Sequence, residues 1–381
     1  MYWNSFTYFK NTVRNCVEKY FFDTPLTDQT VGKSTFIEGG FLALTKNLRV
    51  DFHTHIISED FPDLAAKYAD ERFPTLHKTC SCGAEIKIQG KTFRKITDQT
   101  WDAEKRIKDM DKEGVDIQVL SPIPVTFTYW SDSQAGLELA KSQNDFITSV
   151  VKKYPDRFIG MGTVPLQDVK KAIAEMERAV NELGLKGIQI GSNVNGLNLD
   201  DDSLYPFFEA AAEMNVPLFV HPWATLGQER LQRFNSMYTV GMPSETALAA
   251  GSIIMSGMLD KLPELKICFA HGGGSLPYIL PRMDKGWEVW PDTRNTEKPP
   301  SYYAKKLYYD SLVYDSDNLK FMIERFGTKQ IIAGSDYPFL LREKPVGKVI
   351  DSLGDISEED AKLMLGQNAL DFLGLNELIK T

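Results

Sequence analysis

The chain has 381 residues, 43% of them hydrophobic and 11% aromatic, enough to bury one large core of the size common in closed α/β barrels. Its formal net charge of -9 disfavours nucleic acid and anionic membrane as partners, and no run of about 18 apolar residues signals a membrane span. The four cysteines, Cys16, Cys80, Cys82 and Cys268, form no secretory framework and fit reduced thiols in a cytoplasmic protein.

Residues 1–48 read as an extension. Phe6, Phe9, Val13, Val17 and Tyr20 fall at spacings of three and four, which predicts a helix with one apolar stripe over residues 2–22. The segment lacks a signal peptide's continuous apolar core and is not strongly basic, so packing on the domain or on a partner subunit is preferred to a membrane surface.

Residues 49–381 are expected to form one domain. Short apolar strands are predicted at 49–55, 116–121, 159–165, 187–192, 217–221, 266–271, 307–311 and 330–335. Helical patterns lie between them at 102–113, 136–153, 169–183, 202–214, 245–259 and 316–326. Start and stop signals are good in places: Asp168 precedes a run with Ile173, Met176, Val180 and Leu183, and Gly184 follows it. Residues 58–100 form one long insertion, in which 85–96 alternates around Gln89-Gly90 as a hairpin, the kind of excursion that makes a lid or substrate wall. Cys80-Ser81-Cys82 within it reads as a loop or, less simply, as half of a second metal site, since the usual two-residue spacer and a second pair are missing.

Strands separated by helices argue for parallel βαβ units, and eight of them argue for a (β/α)8 TIM-type barrel, with an open doubly wound sheet as the alternative. His53 and His55 sit at i and i+2 near the end of the first strand, so alternation places both imidazoles on one face, with Val50 and Phe52 on the other. His221, His271 and Asp336 close the fifth, sixth and eighth strands. Any one of them alone is equally a capping or core residue. Four strands delivering four of the chain's five histidines and an aspartate to their carboxyl ends argue for a shared metal site.

This ordered set resembles the amidohydrolase superfamily. It resembles most closely the 2-amino-3-carboxymuconate-6-semialdehyde decarboxylases, through Lys91-Thr-Phe-Arg94, Trp101-Asp102, the run from Arg106 to Val115, Gly187-Ile-Gln-Ile-Gly191, His221-Pro-Trp223, Gly241-Met-Pro-Ser-Glu-Thr246, His271-Gly-Gly-Gly274 and Gly334-Ser-Asp-Tyr-Pro-Phe339. The resemblance spans about residues 49–375. It implies one Zn2+ per subunit on His53, His55, His221 and Asp336, with His271 handling a proton; a competing assignment makes His271 a ligand too. It further implies Arg94 and Arg282 on the carboxylates of a small anionic substrate, Arg282 coming from the second subunit of a homodimer, and Trp223 and Phe339 in the substrate pocket. No organic cofactor is implied. The implied reaction is non-oxidative decarboxylation, as in tryptophan or nitrobenzoate catabolism. The fourth strand lacks the lysine of binuclear hydrolases, and the first reads His-x-His rather than the Glu-x-His of resorcylate-type decarboxylases. Ala224 replaces a family aspartate, Phe234-Asn235 stand near a family tryptophan, and the N-terminal extension is additional. The alternatives are a decarboxylase of a related aromatic or muconate-type acid, a mononuclear metal hydrolase of a lactone or amide, and a catalytically silent binding barrel.

Overall fold

In the computed structural model, residues 48–375 are described; the helix expected over 2–22, with the rest of residues 1–47, lies outside them. The eight apolar segments become parallel strands, first to eighth in chain order: Val50–Ile56, Ile117–Pro122, Phe158–Gly160 continued by Gly162–Thr163, Ile188–Gly191, Leu218–His221, Ile267–Phe269, Tyr308–Asp310 and Ile331–Ile332. The first three pair in one sheet, and the third through eighth pair in a second. Met161 lies where the third strand passes from one to the other: its N–H donates to Leu120 O, and the next N–H, of Gly162, donates to Gly187 O, both at 2.9 Å. At the far edge Phe52 N–H donates to Ala333 O at 2.9 Å and Asp336 N–H to His53 O at 2.8 Å, so the backbone after the eighth strand runs beside the first.

Aspartates start many of the helices. The carboxylates of Asp102, Asp132, Asp168 and Asp315 accept backbone N–H groups at the starts of Ala103–Glu113, Ser133–Lys153, Val169–Glu177 and Ser316–Phe326, satisfying donors that have no partner inside the helix. The helix expected over 169–183 widens into a π turn at Arg178–Glu182. The one expected over 245–259 breaks at Gly257, φ 79, into Met242–Met255 and Met258–Lys261. No helix among the described residues is long and apolar enough to cross a membrane.

The first strand departs from strict alternation. Asp51 pairs with Gln118 and Thr54 with Leu120, so the first strand advances three residues while the second advances two. This bulge turns Phe52 to the same side as His53, correcting the expectation that they face apart; both rings meet Phe219, with centroids 5.1 and 4.9 Å away. Phe52 joins Val119, Met161, Phe219, Ile332 and Phe372 in an inner apolar cluster that forms the floor beneath the histidines.

Within the insertion, Thr75–Cys80, Gly83–Ile88 and Lys91–Thr97 make a three-stranded antiparallel sheet. Gln89 (φ 51) and Gly90 (φ 71) form the turn between the last two, as a type I′ hairpin requires. Ala84, Ile86 and Ile96 pack with Ile57 and Trp101, and against them lie Trp223 and Phe339 from the strand ends. The sheet thus borders the carboxyl ends of the parallel strands.

Phe52 is 1% exposed and touches two further aromatic rings, so Phe52→Ala should lower stability by roughly 3–5 kcal/mol in urea unfolding. A negligible change would show that the floor does not depend on it.

Candidate metal centre

His53 and His55 meet His221, His271 and Asp336 at the carboxyl ends of the strands. His53, His221, His271 and Asp336 each offer one ligand atom, all within 4.8 Å of one another. His55 belongs to the same cluster, its Nε2 lying 3.1 Å from His53 Nε2 and 3.3 Å from Asp336 Oδ1. Apart from His271, which is half-buried, the five are nearly excluded from solvent.

The outer ring nitrogens define the tautomers. His53 Nδ1 lies 2.6 Å from Asp310 Oδ2, His55 Nδ1 lies 3.0 Å from Pro122 O and His221 Nδ1 lies 3.1 Å from Pro222 O. Each Nδ1 faces an acceptor and must carry the proton, so each neutral ring turns an Nε2 lone pair inward. His221 Nε2 and Asp336 Oδ1 are buried with no hydrogen-bond partner. Two bare nitrogens 3.1 Å apart, with a carboxylate oxygen beside them, repel one another unless positive charge lies between. The donor set of imidazole nitrogens and one carboxylate fits a divalent transition metal.

The titration behaviour has the same origin. Burial depresses His55 to about 4, and burial together with the neighbouring imidazoles depresses His221 and His271, so these rings are neutral donors at pH 7. Burial opposes charge on His53 as well, but the Asp310 hydrogen bond and the charges of Asp310, Asp336 and Asp51 outweigh it and raise its proton affinity. Asp336 also overcomes its burial, held below the usual carboxylate range by His55 and the other imidazoles. The acidic surroundings favour a cation.

Three residues with no role in the sequence reading build the supports. Asp310 ends the seventh strand fully buried; besides His53 it accepts the N–H groups of His271 at 2.8 Å and Gly272 at 2.9 Å. Its signal was its position, since it closes an apolar strand as His221 does. Arg106, also fully buried, donates to His55 O at 2.8 Å, Thr54 Oγ1 at 3.0 Å and Gln118 Oε1 at 3.1 Å, clamping the first strand from behind. Glu245 accepts from Asn193 Nδ2 at 2.9 Å and Leu226 N–H at 2.8 Å, while Asn193 Nδ2 also reaches Trp223 O, fixing the loop after His221.

Glycines permit two close approaches. Gly274 has φ 63, and a Cβ there would lie 1.9 Å from Pro243 O; a Cβ on Gly334 would lie 2.7 Å from that of His53. The His-Gly-Gly-Gly run is therefore a turn of left-handed residues, beginning with His271 itself at φ 55.

Around the cluster, Phe339 stacks on His55 with centroids 5.3 Å apart, and the Arg94 guanidinium carbon lies 4.0 Å from the Phe339 centroid. The Arg94 side chain forms no ion pair or hydrogen bond among the described residues and contacts the rings of Phe93, Tyr238 and Phe339. Trp223 meets Phe93, next to Arg94, at 6.1 Å. Arg282 is not brought to the cluster: it is exposed on helix Leu276–Val289 and forms no hydrogen bond or ion pair with the five residues. Ala224 is exposed with φ 51, and Phe234, at φ 60, is 80% exposed.

Asp310→Asn keeps the shape but weakens the orienting bond, and should lower metal affinity about 10–100-fold in chelator competition; unaltered affinity would remove Asp310 from the site's support. In chelator-stripped protein the neutral His55 contributes stability that is fully present above its unfolded value of 6.5 and is lost as pH falls from there to about 4. Its share is on the order of 3 kcal/mol, so urea melts at pH 7 and pH 4.5 should differ more for the parent than for His55→Asn.

Residues 50–375 match the amidohydrolase family. The chain is similar to the 2-amino-3-carboxymuconate-6-semialdehyde decarboxylase of Dictyostelium discoideum, 45% identical over 333 residues that cover 87% of this chain and 93% of the relative. It is also similar to the Caenorhabditis elegans protein of the same description, 33% identical over 88% of this chain and 97% of the relative. Among solved structures it is similar to the 5-carboxyvanillate decarboxylase of Novosphingobium aromaticivorans complexed with manganese, with TM-score 0.72, 26% identity, and coverage of 87% of this chain and 100% of that one. The chain belongs to the amidohydrolase family and, within it, to the 2-amino-3-carboxymuconate-6-semialdehyde decarboxylases.

Proposed function

We propose that this chain, a metal-dependent non-oxidative decarboxylase by family, acts on 2-amino-3-carboxymuconate-6-semialdehyde and holds one Zn2+ on His53, His55, His221 and Asp336. The observation that carries the proposal is the convergence of three inward Nε2 lone pairs on a buried, unpartnered carboxylate oxygen, in a chain 45% identical to one such decarboxylase. A divalent cation bound there acidifies water and polarises substrate oxygens. The manganese of the structural neighbour makes Mn2+ the other ion to test.

The chain's own residues do the rest. Arg94, stacked over Phe339, meets a substrate carboxylate with its planar fork, and Phe339 and Trp223 flank the unsaturated carbon chain. His271, kept neutral by burial, has an Nδ1 with no hydrogen-bond partner. It takes a proton from water, the hydroxide left behind being reprotonated from solvent, and delivers that proton to the carbon bearing the departing carboxylate; the C–C bond then breaks, its electron pair restores the double bond, and carbon dioxide leaves. His271 as a further ligand is the competing role, since its ligand atom lies within the same 4.8 Å cluster.

Two broader readings accompany this one. The eight strands close as a single (β/α)8 barrel of residues 49–381, with the insertion 58–100 at its mouth and residues 1–48 as an extension; the hydrogen bonds from Phe52 to Ala333 and from Asp336 to His53 support closure. The active unit is a homodimer in the cytoplasm, in which the exposed Arg282 of one copy completes the other's site. Ala224 stands where the family has an aspartate, and the lost carboxylate bears on substrate choice rather than on the metal chemistry.

The test follows metal content, loss of the freshly generated semialdehyde's absorbance, and carbon dioxide release. His271→Ala should keep its metal and lose about 10²–10⁴-fold in turnover, whereas Asp336→Ala should lose the metal itself. Full turnover in the first, or full metal in the second, would reverse the assignment of roles. Metal without decarboxylation would redirect the search to related aromatic acids and then to lactones.

A further inference from the structure

Cys80 and Cys82 take no part in the decarboxylation. We propose that they are a thiol–disulfide redox pair, a modification site on the insertion sheet whose co-reactant is a low-molecular-weight disulfide. Their sulfurs lie 3.0 Å apart and both side chains are exposed. A disulfide spans about 2.05 Å, so side-chain rotation has to close only roughly 1 Å.

The backbone explains the approach. Cys80 ends the strand Thr75–Cys80 opposite Gly83, and Cys82 lies in the short turn between them, its carbonyl accepting the Asp98 N–H at 3.1 Å. A Cβ on Gly83 would stand 3.3 Å from Cys80 Sγ and crowd it, so glycine leaves room beside that sulfur. The hydrogen bond between the thiols lowers the pKa of Cys80 and raises that of Cys82, making Cys80 the better first nucleophile. Cys268 differs in every respect: it is fully buried, and burial pushes its thiol far up.

The exchange balances with one small disulfide consumed. The Cys80 thiolate attacks one of its sulfurs, forming a mixed disulfide and releasing one thiolate. Cys82, deprotonated by solvent, then attacks Cys80 Sγ and expels the second thiolate, and both take up the protons the cysteines lost. Two cysteine thiols are oxidised and one disulfide is reduced. An exposed bond closing so small a ring is readily reduced again. Oxidation fixes one end of the sheet in which Ile86 pairs with Arg94.

The test treats full-length, metal-loaded enzyme with oxidised glutathione, alkylates remaining thiols, and weighs the tryptic peptide of residues 79–87. The parent peptide should be two hydrogens lighter and unlabelled, and dithiothreitol should restore two labels. Cys82→Ser should instead retain glutathione on Cys80, with its decarboxylase activity under reducing conditions unchanged as the control for folding. Two labelled thiols at every ratio of oxidised to reduced glutathione, or glutathione retained on both cysteines of the parent, would overturn the proposal.

Discussion

The hydrogen bond between Asp310 and His53, 2.6 Å long and fully buried, is the interaction on which the centre depends. Burying a carboxylate is costly unless its oxygens are occupied, and Asp310 fills both: Oδ2 meets His53 Nδ1 and the His271 N–H, and Oδ1 the N–H groups of Gly272 and Leu312. One side chain thereby sets the tautomer of a first-strand imidazole and the backbone of the sixth-strand turn. Burial works to raise its pKa, but the partnership with His53 prevails and holds it below the ordinary carboxylate value. The seventh strand supplies no histidine, yet it couples the two that face each other across the site.

Behind the first strand a second buried network bears the mechanical load. Arg106 holds the backbone at His55 and the hydroxyl of Thr54, while Asp51 accepts from Ser335 N–H at 2.9 Å and Ser335 Oγ at 2.7 Å on the segment leading to Asp336. Burial raises Asp51 to about 7 and lowers Arg106 only to about 10, so the guanidinium keeps its charge at neutral pH. The bulge between these anchors brings Phe52 in line with His53. The apolar floor and the polar cluster are thus consecutive residues of one strand, and the histidines cannot shift without disturbing the aromatic packing below.

The strands and many of the helices were legible because their signals are local: apolar runs of a few residues, and an aspartate before each of four helices. The cluster was legible because histidine is scarce in this chain and its members fall at strand ends. The bulge was not, since nothing in Val50-Asp-Phe-His53 marks an extra residue; only the pairing of Asp51 with Gln118 and of Thr54 with Leu120 reveals it. The role of Asp310 is not legible in the sequence, because an aspartate at a strand end is common and its partner lies 257 positions away.

The sequence by itself determined the chemistry available: four imidazoles and a carboxylate at the ends of apolar strands, an arginine in a hairpin, and a family pattern that ties them to decarboxylation. Tertiary structure decided which nitrogen of the two first-strand rings faces inward, because that choice rests on Asp310 and Pro122, acceptors contributed by other strands, whereas His221 finds its acceptor in the adjoining Pro222. It also decided that Arg94 comes to the centre through Phe339 and His55, while Arg282 stays exposed on its helix. Local propensity acts over a few residues, whereas lone-pair direction and charge compensation are fixed by contacts between segments that meet only in the folded chain.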